Sequence, residues 1–140
     1  MVITNTLADV NHTMEIANLV IKYQDYFLRK ITDRTIHINQ SGCWIWQGAS
    51  NGGSGDDRYG AMKVCWPGGS RTMHTHQVSF ALYNQRYAAR DKQISHLCHN
   101  KLCCFAPHLV EETKEENESR NMCRPERRCV GHGRRPACIF

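Results

Sequence analysis

The sequence predicts a small α+β domain in which antiparallel ribbons and a few helices share one modest core. Three observations carry that reading. Residues Thr13 to Ile31 place apolar side chains at helical spacing, several later stretches alternate apolar and polar residues, and Gly, Ser and Pro mark the turns between them. A chain of 140 residues is one domain's worth.

The helix comes first. Ile16, Leu19, Val20, Tyr23, Phe27 and Leu28 lie opposite Glu15, Asn18, Lys22, Asp25 and Arg29, an amphipathic pattern suited to packing on the domain or on a partner subunit. Residues 1–34 are therefore expected to form an N-terminal helical extension and residues 35–140 the body of the protein. Strands follow at Thr35 to Ile38 and Cys43 to Trp46, with a turn at Ser41 and Gly42. Gly48 to Asp57 is a surface loop by composition. Arg58 to Cys65 and Ser70 to His74 flank Trp66-Pro-Gly-Gly69, the pattern of a two-stranded ribbon, and Val78 to Tyr83 reads as a short buried helix. A ribbon bearing Arg58, Lys63 and Arg71 suits a DNA groove and equally suits a solvated sheet face.

Composition narrows the class. Lys and Arg exceed Asp and Glu by 18 to 13, giving a net charge of +5, and no apolar run approaches the ~18 residues of a membrane span. The start of the chain, Met1 to Thr6, lacks the basic and apolar segments of a secretory peptide, so an intracellular site is expected, the nucleus in a eukaryote. Eight Cys and eight His then read as metal ligands rather than as a disulfide scaffold, with zinc the natural candidate. Cys98, Cys103 and His108 offer three ligands on short loops, and Cys43 is the best remaining fourth. Cys123, Cys129, His132 and Cys138 form a second set in an Arg-rich, nearly apolar-free tail that either zinc holds or nothing does. Cys65 and Cys104 are left as non-ligands, although Cys104 could compete with Cys103.

Between the sets, Thr113-Lys-Glu-Glu116 has the form of a capping box that starts a helix at about Lys114. Arg120 and Asn121 then share a face with Asn117. A strand ending in His96, a metal-stapled loop, a return strand near Leu109 and that helix would bring an imidazole and a carboxamide together. Such a layout suits metal-assisted phosphodiester cleavage. His74 and His76 read as structural or DNA-facing, and His99 as a loop residue.

Ser95-His-Leu-Cys-His-Asn100, Cys103, Pro107-His-Leu109, Glu116-Asn117 and Arg120-Asn121 together resemble the His-Cys box of homing endonucleases, in the ββα-metal (His-Me finger) superfamily. Cys43-Trp-Ile-Trp-Gln-Gly48 and Tyr59-Gly60 are similar to the upstream strands of phage HNH endonucleases. The resemblance implies a ββα-metal core with two structural zinc sites, one on Cys43, Cys98, Cys103 and His108, the other on Cys123, Cys129, His132 and Cys138. It implies His96 as general base, Asn117 as ligand of a catalytic magnesium, and Arg71, or alternatively Arg58, on the scissile phosphate. The implied activity is cleavage of double-stranded DNA to 5′-phosphate and 3′-hydroxyl ends; the alternative is a DNA-binding module that no longer cuts. Two departures matter. Phe105-Ala106 replaces the usual Asn-Pro, and the sequence ends at Phe140 without a long exchanged tail, so a homodimer would use another surface, such as the N-terminal helix.

Overall fold

The computed structural model describes residues 13–51, 58–66 and 68–140. The first twelve residues of the expected extension, residues 52–57 of the expected loop and Pro67 of the expected turn lie outside the described residues. The architecture is α+β, as the sequence predicts. It starts with helices α1 (Thr13–Lys22) and α2 (Gln24–Asp33). A single helix was expected over this stretch, but Tyr23 leaves the helical region, with φ −111° and ψ 39°. A one-residue break leaves the apolar periodicity intact, so Leu19 and Val20 of α1 and Phe27 and Ile31 of α2 all reach the core.

Strands β1 (Thr35–His37) and β2 (Trp44–Trp46) pair antiparallel around a turn in which Gly42 takes φ +76°, a conformation that only glycine adopts readily. A short β3 (Ser50–Asn51) pairs with β4 (Tyr59–Trp66), which forms the main ribbon with β5 (Gly69–His74). Alternation puts Met62 and Val64 of β4 and Met73 of β5 on the core side and exposes Lys63 and Cys65. Gly60 lies against the Trp46 ring, and a Cβ there would stand 2.8 Å from Cδ1 of that indole, so the close approach of β4 to β2 needs glycine. Helix α3 (Thr75–Asn84) packs against both N-terminal helices and the ribbon and buries Val78, Phe80 and Ala81.

The last hairpin positions the chemistry. β6 (Gln93–His96) pairs antiparallel with β7 (Leu109–Glu112), placing His96 opposite Leu109. The intervening loop folds back onto β2 through backbone bonds from Cys104 N–H to Trp44 and from Trp46 N–H to Leu102. A capped helix α4 (Lys114–Ser119) follows, then a short 3-10 turn and a tail whose Ile139 N–H bonds Leu97, beside the strand end that carries His96. Among the described residues no helix is long and apolar enough to cross a membrane.

Candidate functional site

Two groups of four ligands form where the sequence places them. Because the loop after β6 lies on β2, the Cys43 sulfur meets Cys98, Cys103 and His108, and all four ligand atoms stand within 4.8 Å of one another. His108 Nδ1 is 3.6 Å from Cys43 Sγ and 3.7 Å from Cys103 Sγ. Tetrahedral zinc, with bonds of about 2.3 Å to sulfur and 2.0 Å to nitrogen, separates such atoms by roughly 3.6 Å. The donors therefore fit that ion. A hydrogen bond from the Cys98 thiol lowers the pKa of Cys103, with the Phe105 N–H assisting, and raises that of Cys98 in turn.

Cys123, Cys129, His132 and Cys138 also converge within 4.8 Å. His132 Nε2 is 3.3 Å from Cys123 Sγ and 3.4 Å from Cys138 Sγ, while its Nδ1 lies 3.1 Å from Ser119 Oγ. Ser119 donates its own proton to the Glu116 carbonyl, so Nδ1 must be the N–H that donates to Ser119. That tautomer leaves the Nε2 lone pair for a metal. Backbone N–H groups of Val130 and Cys138 donate to the sulfurs of Cys123 and Cys129, and the bond from Cys138 favours the Cys129 thiolate.

His96 and Asn117 line one cavity of about 180 Å³, together with His99, Lys101, Arg120 and Arg124. The His96 ring is buried and hydrogen-bonded to the Cys103 backbone, whereas Nε2 has no partner, so the backbone bond falls to Nδ1. The first cluster thus orients this imidazole and leaves Nε2 available. Burial lowers its pKa to about 4, so it is neutral and able to accept a proton at pH 7. Asn117 accepts a hydrogen bond from Ser95 Oγ at 2.7 Å and donates to Gln93 Oε1 at 2.8 Å. It also borders a second cavity, of about 580 Å³, lined by Tyr59, His74, His76 and Tyr87.

Arg71 lies on exposed β5, opposite Val64, and does not line the smaller cavity. Burial pushes the Tyr87 phenol up and Arg71 pulls it the other way, which places Arg71 within electrostatic reach of the larger cavity. Arg58 is exposed just before β4. Cys104 is buried and stands outside both groups of four, and Cys65 is exposed on the ribbon.

The sequence reading of His74 and His76 as structural or DNA-facing, and of Tyr59 as part of an upstream strand, did not place them beside His96. His76 packs 4.7 Å from His96, and the Tyr59 ring packs against both His74 and His76. Lys101 lies over the Tyr59 ring at 5.0 Å, and Arg124 lines the same cavity. Arg124 is one of the tail arginines that a bound metal was expected to hold rigid against phosphates, whereas Lys101 was missed although it too sits between two ligand cysteines.

A family described as the zinc-binding loop region of homing endonuclease matches residues 42–137. The chain belongs to this family. The match takes in every residue of the two groups of four except Cys138, so the homing-endonuclease-like domain and its zinc-type Cys3His sites coincide. Protein 2.8 of Escherichia phage T7 is similar to the chain, 33% identical over 90 residues that make up 64% of this chain. The chain spans about 55% of that relative's length. No solved structure matches it.

Proposed function

We propose that this family member is a magnesium-dependent endonuclease that hydrolyses phosphodiester bonds of double-stranded DNA to leave 5′-phosphate and 3′-hydroxyl ends. The observation that carries the reading is the His96 Nε2 atom, buried, without a partner, in the wall of a cavity that the Asn117 carboxamide also lines. A buried nitrogen with nothing to bond is costly, and a substrate water supplies its missing partner.

In this reading His96 accepts the proton of the attacking water through Nε2 and is kept in register through Nδ1 by the first zinc loop. Asn117 holds magnesium through its amide oxygen, and the rest of the coordination shell falls to water and DNA. When bound, the ion neutralises charge that develops on the phosphate and on the departing 3′ oxygen. Lys101 and Arg124 at the cavity, and Arg71 with Arg58 on the ribbon, bind phosphates along the duplex. The eight Cys and His ligands hold two structural zinc ions that do no chemistry. Residues 35–140 are the nuclease body and residues 1–34 its helical extension. Two copies acting as a homodimer would cut both strands.

The test is cleavage of plasmid DNA by zinc-loaded protein with and without magnesium. His96→Ala should lose about 10²- to 10⁴-fold in rate and still bind DNA. Undiminished cutting by that variant would overturn the assignment. Wild-type protein that binds DNA and never cuts would instead identify a non-cutting DNA-binding module. Sequencing the ends reports the chemistry, and any stagger reports whether two subunits act together.

A further inference from the structure

The Asn117 amide stands at the end of a chain of buried polar groups that starts at the second cluster. Arg120 Nη1 donates to Cys138 Sγ at 3.4 Å, and the same guanidinium grips Glu112 with two bonds of 2.7 and 2.6 Å. Arg135 adds a third bond to Glu112 at 3.2 Å. Ser95 donates its one proton to Asn117 Oδ1 at 2.7 Å, and the Glu112 carboxylate is a second acceptor within reach of the same hydroxyl. Ser95, Glu112 and Arg120 are each at most 2% exposed, so the middle of the chain is closed to water.

A carboxamide can turn to present oxygen or nitrogen, and only the oxygen binds a cation. Ser95 has one proton and two acceptors. The two arginines meet most of the demand of Glu112, which leaves the Ser95 proton to fix Asn117 Oδ1. If Arg120 shifted with the second cluster, Glu112 would draw that proton away and the amide would lose its anchor. Gln93, the other partner of Asn117, is exposed and cannot do the same work against water.

We propose that Ser95, Glu112 and Arg120 are positioning residues for Asn117, and that through them the second cysteine–histidine cluster sets how tightly the site captures a divalent cation. This rests on the reading of Asn117 as the cation ligand. It assigns the tail a task beyond holding itself together.

Manganese is the probe, its uptake followed by electron paramagnetic resonance on a complex with a DNA duplex. His96→Ala serves as the parent so that the DNA stays whole, and Asn117→Ala reports the background from DNA. Adding Ser95→Ala should weaken manganese binding by about tenfold, the usual scale for a group that orients a metal ligand, while zinc stays at two per chain and metal-free DNA binding is unchanged. Ser95→Thr, which keeps the hydroxyl, should restore the affinity to within about threefold. Arg120→Lys, which loses the two-pronged grip on Glu112, should also weaken binding. Should Ser95→Ala fail to fold, Ser95→Cys, a weak donor of similar size, is read in its place. Equal manganese affinity across parent, Ser95→Ala and Arg120→Lys with both zincs in place would overturn the relay alone. A parent indistinguishable from Asn117→Ala would overturn the endonuclease reading as well.

Discussion

The two cysteine–histidine clusters have the same donor set and opposite surroundings. The first joins Cys43, just before β2, to His108, 65 residues later, and three of its four residues are buried. Backbone bonds between β2 and the loop run alongside it. The second gathers residues from the tail, where only Cys123 is buried and the segment after Met122 has no helix or strand. An ion in the first site would therefore close a long loop over a core that already exists, and one in the second would replace a core that its segment lacks.

The largest predicted effect tests that contrast directly. His108→Ala should abolish the cooperative thermal transition followed by circular dichroism, because β2 and the β6–β7 hairpin lose their junction. His132→Ala should keep a transition, with zinc falling from two ions to one and hydrogen exchange accelerating mainly over residues 123–140. A sharp transition surviving in His108→Ala, or vanishing in His132→Ala, would show that the two clusters do not divide the work in this way.

The next effect concerns the joint between the two regions. Burial alone would raise the Glu112 carboxyl, yet hydrogen bonds from Arg120 and Arg135 hold it down at about 2. It is thus an anion set between a strand of the hairpin and the tail, with side-chain exposures of 0% for Glu112 and 3% for Arg120. Glu112→Gln strands the guanidinium without its counter-charge and should cost about 3–5 kcal/mol in urea unfolding with zinc present. A loss under about 1 kcal/mol would mean that tail and hairpin are held together by something else.

Ligand chemistry is local, which is why the clusters were legible in the sequence. Short spacings among Cys98, Cys103 and His108 left one coordination position open, and Cys43 beside Trp44 and Trp46 was the cysteine on a strand that could reach it. The capping box at Thr113 and the strand ending in His96 were legible for the same reason, since each depends on neighbours in the chain. The Glu112–Arg120 pair was not. Nothing within a few residues of either reveals that the tail folds over both, and charged residues near a helix ordinarily face solvent. The break at Tyr23 was hidden because the apolar face continues across it, and the His74–His76–His96 packing depends on the ribbon and the hairpin meeting in space.

The smallest effect decides to which region α4 belongs. Six residues are too few for a helix to hold by its own propensity. Its N-terminus is fixed by Thr113 Oγ1 accepting from Glu116 N–H at 3.1 Å and by Glu116 Oε1 accepting from Thr113 N–H at 2.8 Å, both continuous with β7. At its other end Ser119 takes the His132 proton. Thr113→Ala should lower stability by about 1 kcal/mol and Thr113→Ser should recover most of it, as measured by the urea midpoint. If α4 is anchored from the hairpin side, exchange should speed up at the amides of Glu116 and Asn117 while zinc stays at two ions per chain. If Thr113→Ala instead releases one zinc, the helix is held in place by the tail, and the second cluster reaches Asn117 through the backbone as well as through Arg120.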